Sequence, residues 1–195
     1  MVDRTLYNNK YDGKGETKMT RKRIALVGAS ATGKSTVEQI LCNEYNMVRG
    51  ISCTTRPKRE YEVDGDHYYF LTKQEITEMK EDGLLVEFTE FNNWFYCLTV
   101  AEFEDCDVIV IEPKGLKQII DNVGRENVFV VYLTYPDELR LERSLIARGD
   151  KDTEEVKRRF EADKLDMQGM YDICDVAIVN HDSKRTAELI YKMVN

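Results

Sequence analysis

Proline is scarce in this chain, with three among 195 residues, and glycine adds only eleven. A chain so poor in both carries no long flexible linker and no Pro/Gly-rich low-complexity tract. No internal repeat of fixed period is visible, and the length suits one compact α/β domain with small inserted lobes. Long apolar runs are also missing. The longest, Ile24 to Val27 and Val128 to Leu133, are strand-length, far short of the roughly eighteen residues a membrane-spanning helix needs. A basic excess is absent: 28 Lys and Arg face 36 Asp and Glu, a net charge of −8. That argues against a nucleic-acid polymer as partner. The basic residues gather in short groups, Arg56 to Arg59 and Arg140 to Arg148, which suits a small anionic ligand. The five cysteines, Cys42, Cys53, Cys97, Cys106 and Cys174, are odd in number, show no CxxC pair and follow no secretory pattern. Neither a disulfide framework nor a zinc site is expected, and reduced thiols in a cytoplasmic setting fit better.

What is present alternates between strand and helix. Arg23-Ile-Ala-Leu-Val-Gly28 reads as a buried strand ending at a glycine, and a helix is expected from Gly33 to about Tyr45. Asp107 to Ile111, Asn127 to Leu133 and Val176 to Val179 read as further core strands, each Val/Ile-rich and followed by a helical stretch. Such alternation predicts a mostly parallel sheet covered on both faces. Two regions break it. Between about 51 and 100 the pattern turns antiparallel, with a hairpin across Asn92-Asn93 and a nested helix from Lys73 to Asp82; Thr72 and Glu75 form its capping box and Gly83 ends it. Residues 138–165 are helical, polar and rich in Arg and Glu, and read as a mobile excursion. Residues 1–20 read as a mobile leader.

Gly28-Ala29-Ser30-Ala31-Thr32-Gly33-Lys34-Ser35 matches G-x-x-x-x-G-K-[ST], with Thr36 following on the helix. The loop must turn back on itself so that successive backbone N–H groups face one phosphate. Gly28 and Gly33 are expected to allow the backbone angles. Lys34 supplies a point charge toward the β- and γ-phosphates, Ser35 offers a hydroxyl to Mg²⁺, and the helix places its positive end beneath. The loop implies ATP as donor with Mg²⁺ as its ion. A second anion site follows in Ser52-Cys-Thr-Thr-Arg56-Pro-Lys-Arg59. Two arginines three apart, held by Pro57, can clamp a second phosphate bidentately, and tyrosine hydroxyls from Tyr68-Tyr-Phe70 can add neutral donors.

The pattern S-x-T-T-R-x-x-R-x-x-E-x-x-G-x-x-Y-x-F, from Ser52 to Phe70, resembles the acceptor motif of guanylate kinases. The resemblance runs through residues 22–195, with Glu87 before the hairpin, Tyr96 within it, Gly115, Arg148-Gly149 and Ile178-Val-Asn180 in order. It implies a three-layer P-loop NTPase core with a parallel five-stranded sheet (21–50, 100–137 and 166–195), an inserted acceptor lobe (51–99) and a helical lid (138–165). It further implies that Arg56, Arg59, Tyr68 and Tyr96 hold the acceptor monophosphate with Ser52 lining the pocket. Glu87 would accept from the guanine N1–H and 2-amino donors, with Glu112 helping. Arg148 and Arg159 would be lid arginines that stabilise the transferring phosphoryl group.

The chain departs from that pattern at several places. Leu98 stands where the family commonly has a serine for the guanine O6, and Cys97 where it has glycine. Glu112 and Val110 stand in the places of aspartates, and Ser144 in that of an arginine four before Arg148, which leaves Arg143 a weaker lid candidate. Ala31 replaces a loop glycine, a change tolerated at negative φ. The expected activity is ATP-dependent phosphoryl transfer to a nucleoside monophosphate, GMP or dGMP first, by a monomer or homodimer acting on small nucleotides. Another nucleotide, a phosphorylated sugar, or a non-catalytic guanylate-kinase-like binding module stand as alternatives. His67 and His181 need no catalytic part, and His67 is expected to pack beside Tyr68 and Tyr69.

Overall fold

The structure, a computed structural model, describes residues 21–148 and 153–195; the leader, residues 1–20, falls outside them. Strand β1 (Arg23–Val27) leads through the glycine-rich loop into helix α1 (Lys34–Tyr45). A small lobe follows: β2 (Cys53–Thr54), β3 (Tyr69–Phe70), α2 (Lys73–Glu81), β4 (Leu85–Phe91) and β5 (Trp94–Thr99). The chain returns to the core with α3 (Val100–Asp105), β6 (Val108–Val110), α4 (Pro113–Val123) and, after a 3₁₀ turn at Arg125–Asn127, β7 (Val128–Thr134). Two polar helices, α5 (Asp137–Arg148) and α6 (Thr153–Asp166), precede α7 (Met170–Ile173), β8 (Val176–Val179) and α8 (Ser183–Val194).

The core sheet is parallel, in the order β6-β1-β7-β8. Its period-two alternation splits the buried residues into two layers. Ile24 and Leu26 of β1 join Val131, Leu133, Val37, Leu41, Ala187 and Ile190, packing α1 and α8 on one face. Ala25 and Val27 join Val130, Leu116, Ile119, Phe103 and Met170, packing α3, α4 and α7 on the other. Each fully buried Leu or Ile adds about 1.5–3 kcal/mol, so a strand apolar on both faces is stable only between two helical layers. The three-layer architecture read from the sequence is present.

The sheet holds four strands among the described residues, where five are expected. The place of the fifth is marked by one isolated parallel bridge, Arg49 to Val108. Asp107 N and Val108 N both donate to Val48 O, and Gly50 N donates to Val108 O at 2.9 Å. The next amide, Ile51 N, is taken by the Glu102 carboxylate at 3.0 Å, so the ladder ends after one rung and the chain leaves for the lobe. Gly50 sits at that exit, where a Cβ would lie 2.7 Å from Ile109 Cγ2.

The lobe carries a second sheet in the order β3-β2-β5-β4, its β4–β5 hairpin closed by Asn92 and Asn93 at φ 49° and 64°. Paired positive φ values match the twist of flanking strands, and asparagine tolerates them. The Thr72–Glu75 capping box is formed on both sides. His67 differs from expectation: its ring meets Tyr61 edge-on, with Nδ1 accepting from Val63 N.

Candidate active site

The glycine-rich loop lies between β1 and α1, at the carboxyl edge of the core sheet, the usual ligand position in open α/β sheets. Gly33 has φ +90°, and a Cβ there would lie 2.4 Å from Asn180 Nδ2. Gly28 serves a different need from the one expected. Its φ is not positive; a Cβ would instead collide with Leu133 O at 2.3 Å, so glycine is required by the close approach of β7. Ala31 also corrects the expectation, with φ +60° rather than a negative value. The left-handed conformation costs a residue bearing a Cβ about 1–2 kcal/mol.

Side chains brace the loop from behind. Thr32 Oγ1 donates to Ala29 O at 2.9 Å, Asn180 Nδ2 donates to Thr32 O at 2.8 Å, and Lys34 Nζ donates to the carbonyls of Gly28 and Ala29 at 2.6 and 2.9 Å. Among the described residues no side chain caps α1, and no acidic residue sits in its first turn. Its amino end therefore offers its dipole to an external anion. Ser35 and Thr36 are exposed beside it.

The second cluster is built by the lobe. Arg56 forms a two-point ion pair with Glu62, NH1 to Oε2 at 2.9 Å and NH2 to Oε1 at 2.8 Å. Its guanidinium lies 5.5 Å from the Tyr68 ring centre and 5.8 Å from that of Phe70. Tyr68 in turn meets Tyr96 edge-on at 6.3 Å. Glu62 is buried; its bond to Arg56 above all holds its carboxyl below the usual carboxylate range. Ser52 lies half-buried at the start of this segment, its carbonyl accepting from Tyr69 N. Arg56, Tyr68 and Tyr96 thus come together. Arg59 does not join them: it is exposed, and its NH1 donates to Tyr61 Oη at 3.0 Å.

Glu87 is placed by helix α4. Asn122 Nδ2 donates to Val86 O, and Gln118 bonds both backbone groups of Phe88. The residue between is thereby turned toward Gly115, where an added Cβ would lie 3.1 Å from Glu87 Oε2. Glu87 is 4% exposed and Oε2 has no partner among the described residues. Burial first, then the Glu112 charge, pushes its carboxyl up to about 8. Leu98 faces Glu87 across the hairpin and is buried, adding an apolar wall.

Glu112 precedes α4 as its N-cap residue. The residue reaches solvent on one side, yet its carboxyl is raised, chiefly by lost hydration; Lys34 draws it down, and Asp166 and Asp163 push it up. Tyr68 and Glu87 feel its charge from the lobe side. The charge of Glu112 thus couples electrostatically to the loop lysine and to both lobe residues. The side chains of Arg148 and Arg159 lie outside the described residues. Arg143 stacks on Tyr135 at 3.7 Å, and Tyr135 meets His181 edge-on. Sequence reasoning assigned no role to Glu62, Arg140 or Asp163. Glu62 carried a signal, as part of the quoted pattern; the others meet the loop across more than a hundred positions and had none.

A parallel sheet whose first strand feeds this loop, with an inserted mixed lobe and a polar helix pair, defines a P-loop kinase fold within the α/β class. The family model described as guanylate kinase matches residues 20–195. A guanylate kinase of Prochlorococcus marinus (strain MIT 9312) is 31% identical over 189 residues, spanning 91% of this chain and 98% of that protein. One of Lactococcus lactis subsp. lactis (strain IL1403) is 34% identical over 178 residues, spanning 88% and 85%. Among solved structures, a guanylate kinase from Anaplasma phagocytophilum superposes with a TM-score of 0.66 over 89% of this chain and 84% of its own; at 21% identity it bears on the fold. The chain belongs to the guanylate kinase family.

Proposed function

We propose that the protein transfers the terminal phosphoryl group of ATP to the phosphate of a guanine nucleoside monophosphate, GMP or dGMP, yielding ADP and the diphosphate. The observation that carries this reading is Glu87 on β4: a buried carboxyl group whose Oε2 has no partner among the described residues. Guanine offers two adjacent N–H donors that such a group accepts, and a base lacking them leaves the carboxylate unpaired, a loss that rejects it strongly. Arg56, with Tyr68 and Tyr96, holds the acceptor phosphate; Ser52 lines the pocket and Arg59 swings in from its place on Tyr61.

On the donor side Lys34 and the loop amides other than that of Ser30, which Asp163 holds, bind the ATP phosphates. The exposed hydroxyl of Ser35 is a hard oxygen donor fit for Mg²⁺, and the ion, when bound with ATP, neutralises charge on the β- and γ-phosphates. The acceptor oxygen is already anionic at neutral pH and needs no general base, so the side chains act by positioning and charge shielding. The γ-phosphorus–oxygen bond of ATP breaks as the bond to the acceptor oxygen forms. Arg148 and Arg159, carried by α5 and α6, complete the charge shielding in this reading, and the helix pair serves as the lid.

A second reading is favoured by Leu98. Its buried, apolar side chain beside Glu87 provides no polar atom for the guanine O6, which relaxes base choice toward other nucleotides. ADP release measured over GMP, dGMP, AMP, CMP and UMP separates the two. GMP and dGMP are expected to lead by at least about a hundredfold; equal turnover of AMP would overturn the role of Glu87. Binding of a phosphopeptide with no transfer to any acceptor would identify a non-catalytic module instead.

A further inference from the structure

Arg140, on α5, is almost completely buried, its side chain 3% exposed. Burying a guanidinium is costly unless its donors are satisfied, and here three separate elements satisfy them. Nε and NH2 donate to Asp137 Oδ1 at 3.1 and 2.8 Å, and NH1 donates to Ser30 O at 2.9 Å and to Asp163 Oδ2 at 3.1 Å. The cation also lies over the Phe160 ring at 4.3 Å. Asp163, on α6, completes the grip: Oδ2 accepts from Ser30 N at 2.8 Å and Oδ1 from Ser30 Oγ at 3.3 Å.

Every polar group of Ser30 is therefore held by this pair. Ser30 is the third residue of the phosphate loop and immediately precedes Ala31, whose φ is +60°. A contact that served only to pack α5 would close on the core layers; this one closes on the glycine-rich loop between β1 and α1. We infer that Arg140 and Asp163 are a positioning pair for phosphoryl transfer: they clasp the loop at Ser30 and register both lid helices, and hence the arginines those helices carry, on the donor phosphates. The inference rests on the proposed activity. Neither residue touches the reacting atoms. Both act through the loop and the helices, where a displacement near 1 Å suffices to cost about a hundredfold in rate.

Lysine keeps the charge of Arg140 but lacks the planar fork that reaches Asp137, Ser30 and Asp163 together. In the full-length protein, Arg140→Lys is expected to lower kcat at least about tenfold, while KM for ATP and GMP stays within about twofold. Asp163→Asn is expected to change the same parameters in the same direction by a smaller factor. The double variant should lose much less than the product of the single losses, because both act on one unit. A packing role alone would lower the melting temperature and leave kcat, measured well below the transition, untouched. Wild-type kcat in both single variants overturns the inference while the proposed activity stands. Should Arg140→Lys fail to fold, Asp163→Asn decides by the same criterion. A wild-type protein that releases no ADP with any acceptor sinks the proposed activity, and the inference with it.

Discussion

At the glycine-rich loop, side chains brace backbone: Asn180 on Thr32 O, Lys34 on Gly28 O and Ala29 O, Thr32 on Ala29 O. Around Arg56 the order is reversed. There the connection between β2 and β3, with β5 beside it, carries side chains that hold one another, Arg56 to Glu62 and Tyr68 to Tyr96. A main-chain cradle depends on φ values and close approaches, so its residues are chosen for what they lack. A side-chain cradle depends on partners, so each member is placed by another. The first tolerates neighbours and fails at a few points; the second fails gradually, partner by partner.

The sharpest break is Lys34→Ala. With Mg²⁺ and the loop amides left in place, removing the one lysine of the loop should lower kcat by at least about a thousandfold. The fold should survive, since Ala29 O keeps its bond from Thr32 Oγ1 and Thr32 O its bond from Asn180 Nδ2; a melting curve run alongside the ADP assay checks both. Near-normal turnover would remove the donor assignment.

Arg56→Ala comes next, with about a hundredfold loss in kcat/KM for the acceptor and unchanged KM for ATP. Glu62→Gln tests the comparison itself. It keeps the shape and removes the charge that holds Arg56, and about a tenfold loss on the acceptor alone is expected. If Glu62→Gln alters ATP use equally, the two cradles are not separate in the way described.

Glu87→Gln should act through pH. The folded carboxyl lies at about 8 against an ordinary value of 4.5, so the folded chain binds the proton more tightly than the unfolded chain. The stability this gives is full below the unfolded value and is lost as pH rises through the folded one. The melting temperature of the wild type, relative to Glu87→Gln, should therefore fall between roughly pH 5 and pH 9. KM for GMP should also fall as pH approaches about 8, where the carboxylate forms, and Glu87→Gln should flatten that dependence. A pH-independent difference between the two proteins would show that Glu87 is not buried as described.

What was legible in the sequence follows the same division. The strand, glycine loop and helix from Arg23 to Tyr45 were legible because the constraint is local: apolar periodicity, then residues without side chains. The Asn92-Asn93 turn and the Thr72–Glu75 box were legible for the same reason, each settled within four residues. The fifth strand was not, because its end is decided by the Glu102 carboxylate taking Ile51 N from fifty-one positions away. The need for glycine at position 28 was visible but its cause was not, since Leu133 O arrives from another strand. Arg59 was paired with Arg56 by spacing alone; its bond to Tyr61 depends on how the segment turns beyond Pro57. The Arg140–Asp163 grip on Ser30 joins residues separated by 110 and 133 positions, which no local pattern encodes.

The smallest effect is also the most discriminating, because it adds nothing to the site. Ala31→Gly removes one methyl group from a residue at φ +60°. The strain relieved is about 1–2 kcal/mol, while glycine gives the unfolded chain added freedom worth about 0.4–1 kcal/mol. The balance is a gain of roughly 0.5–1 kcal/mol, read as a rise in the urea midpoint with an unchanged slope. In a main-chain cradle the loop conformation is fixed by its braces, so the strain is carried without being needed, and KM for ATP should not move. A fall in stability would mean that Ala31 does not hold the left-handed conformation. A rise in stability with a weakened KM for ATP would mean that the methyl group itself restrains the loop, and that the donor cradle depends on side chains as much as the acceptor does.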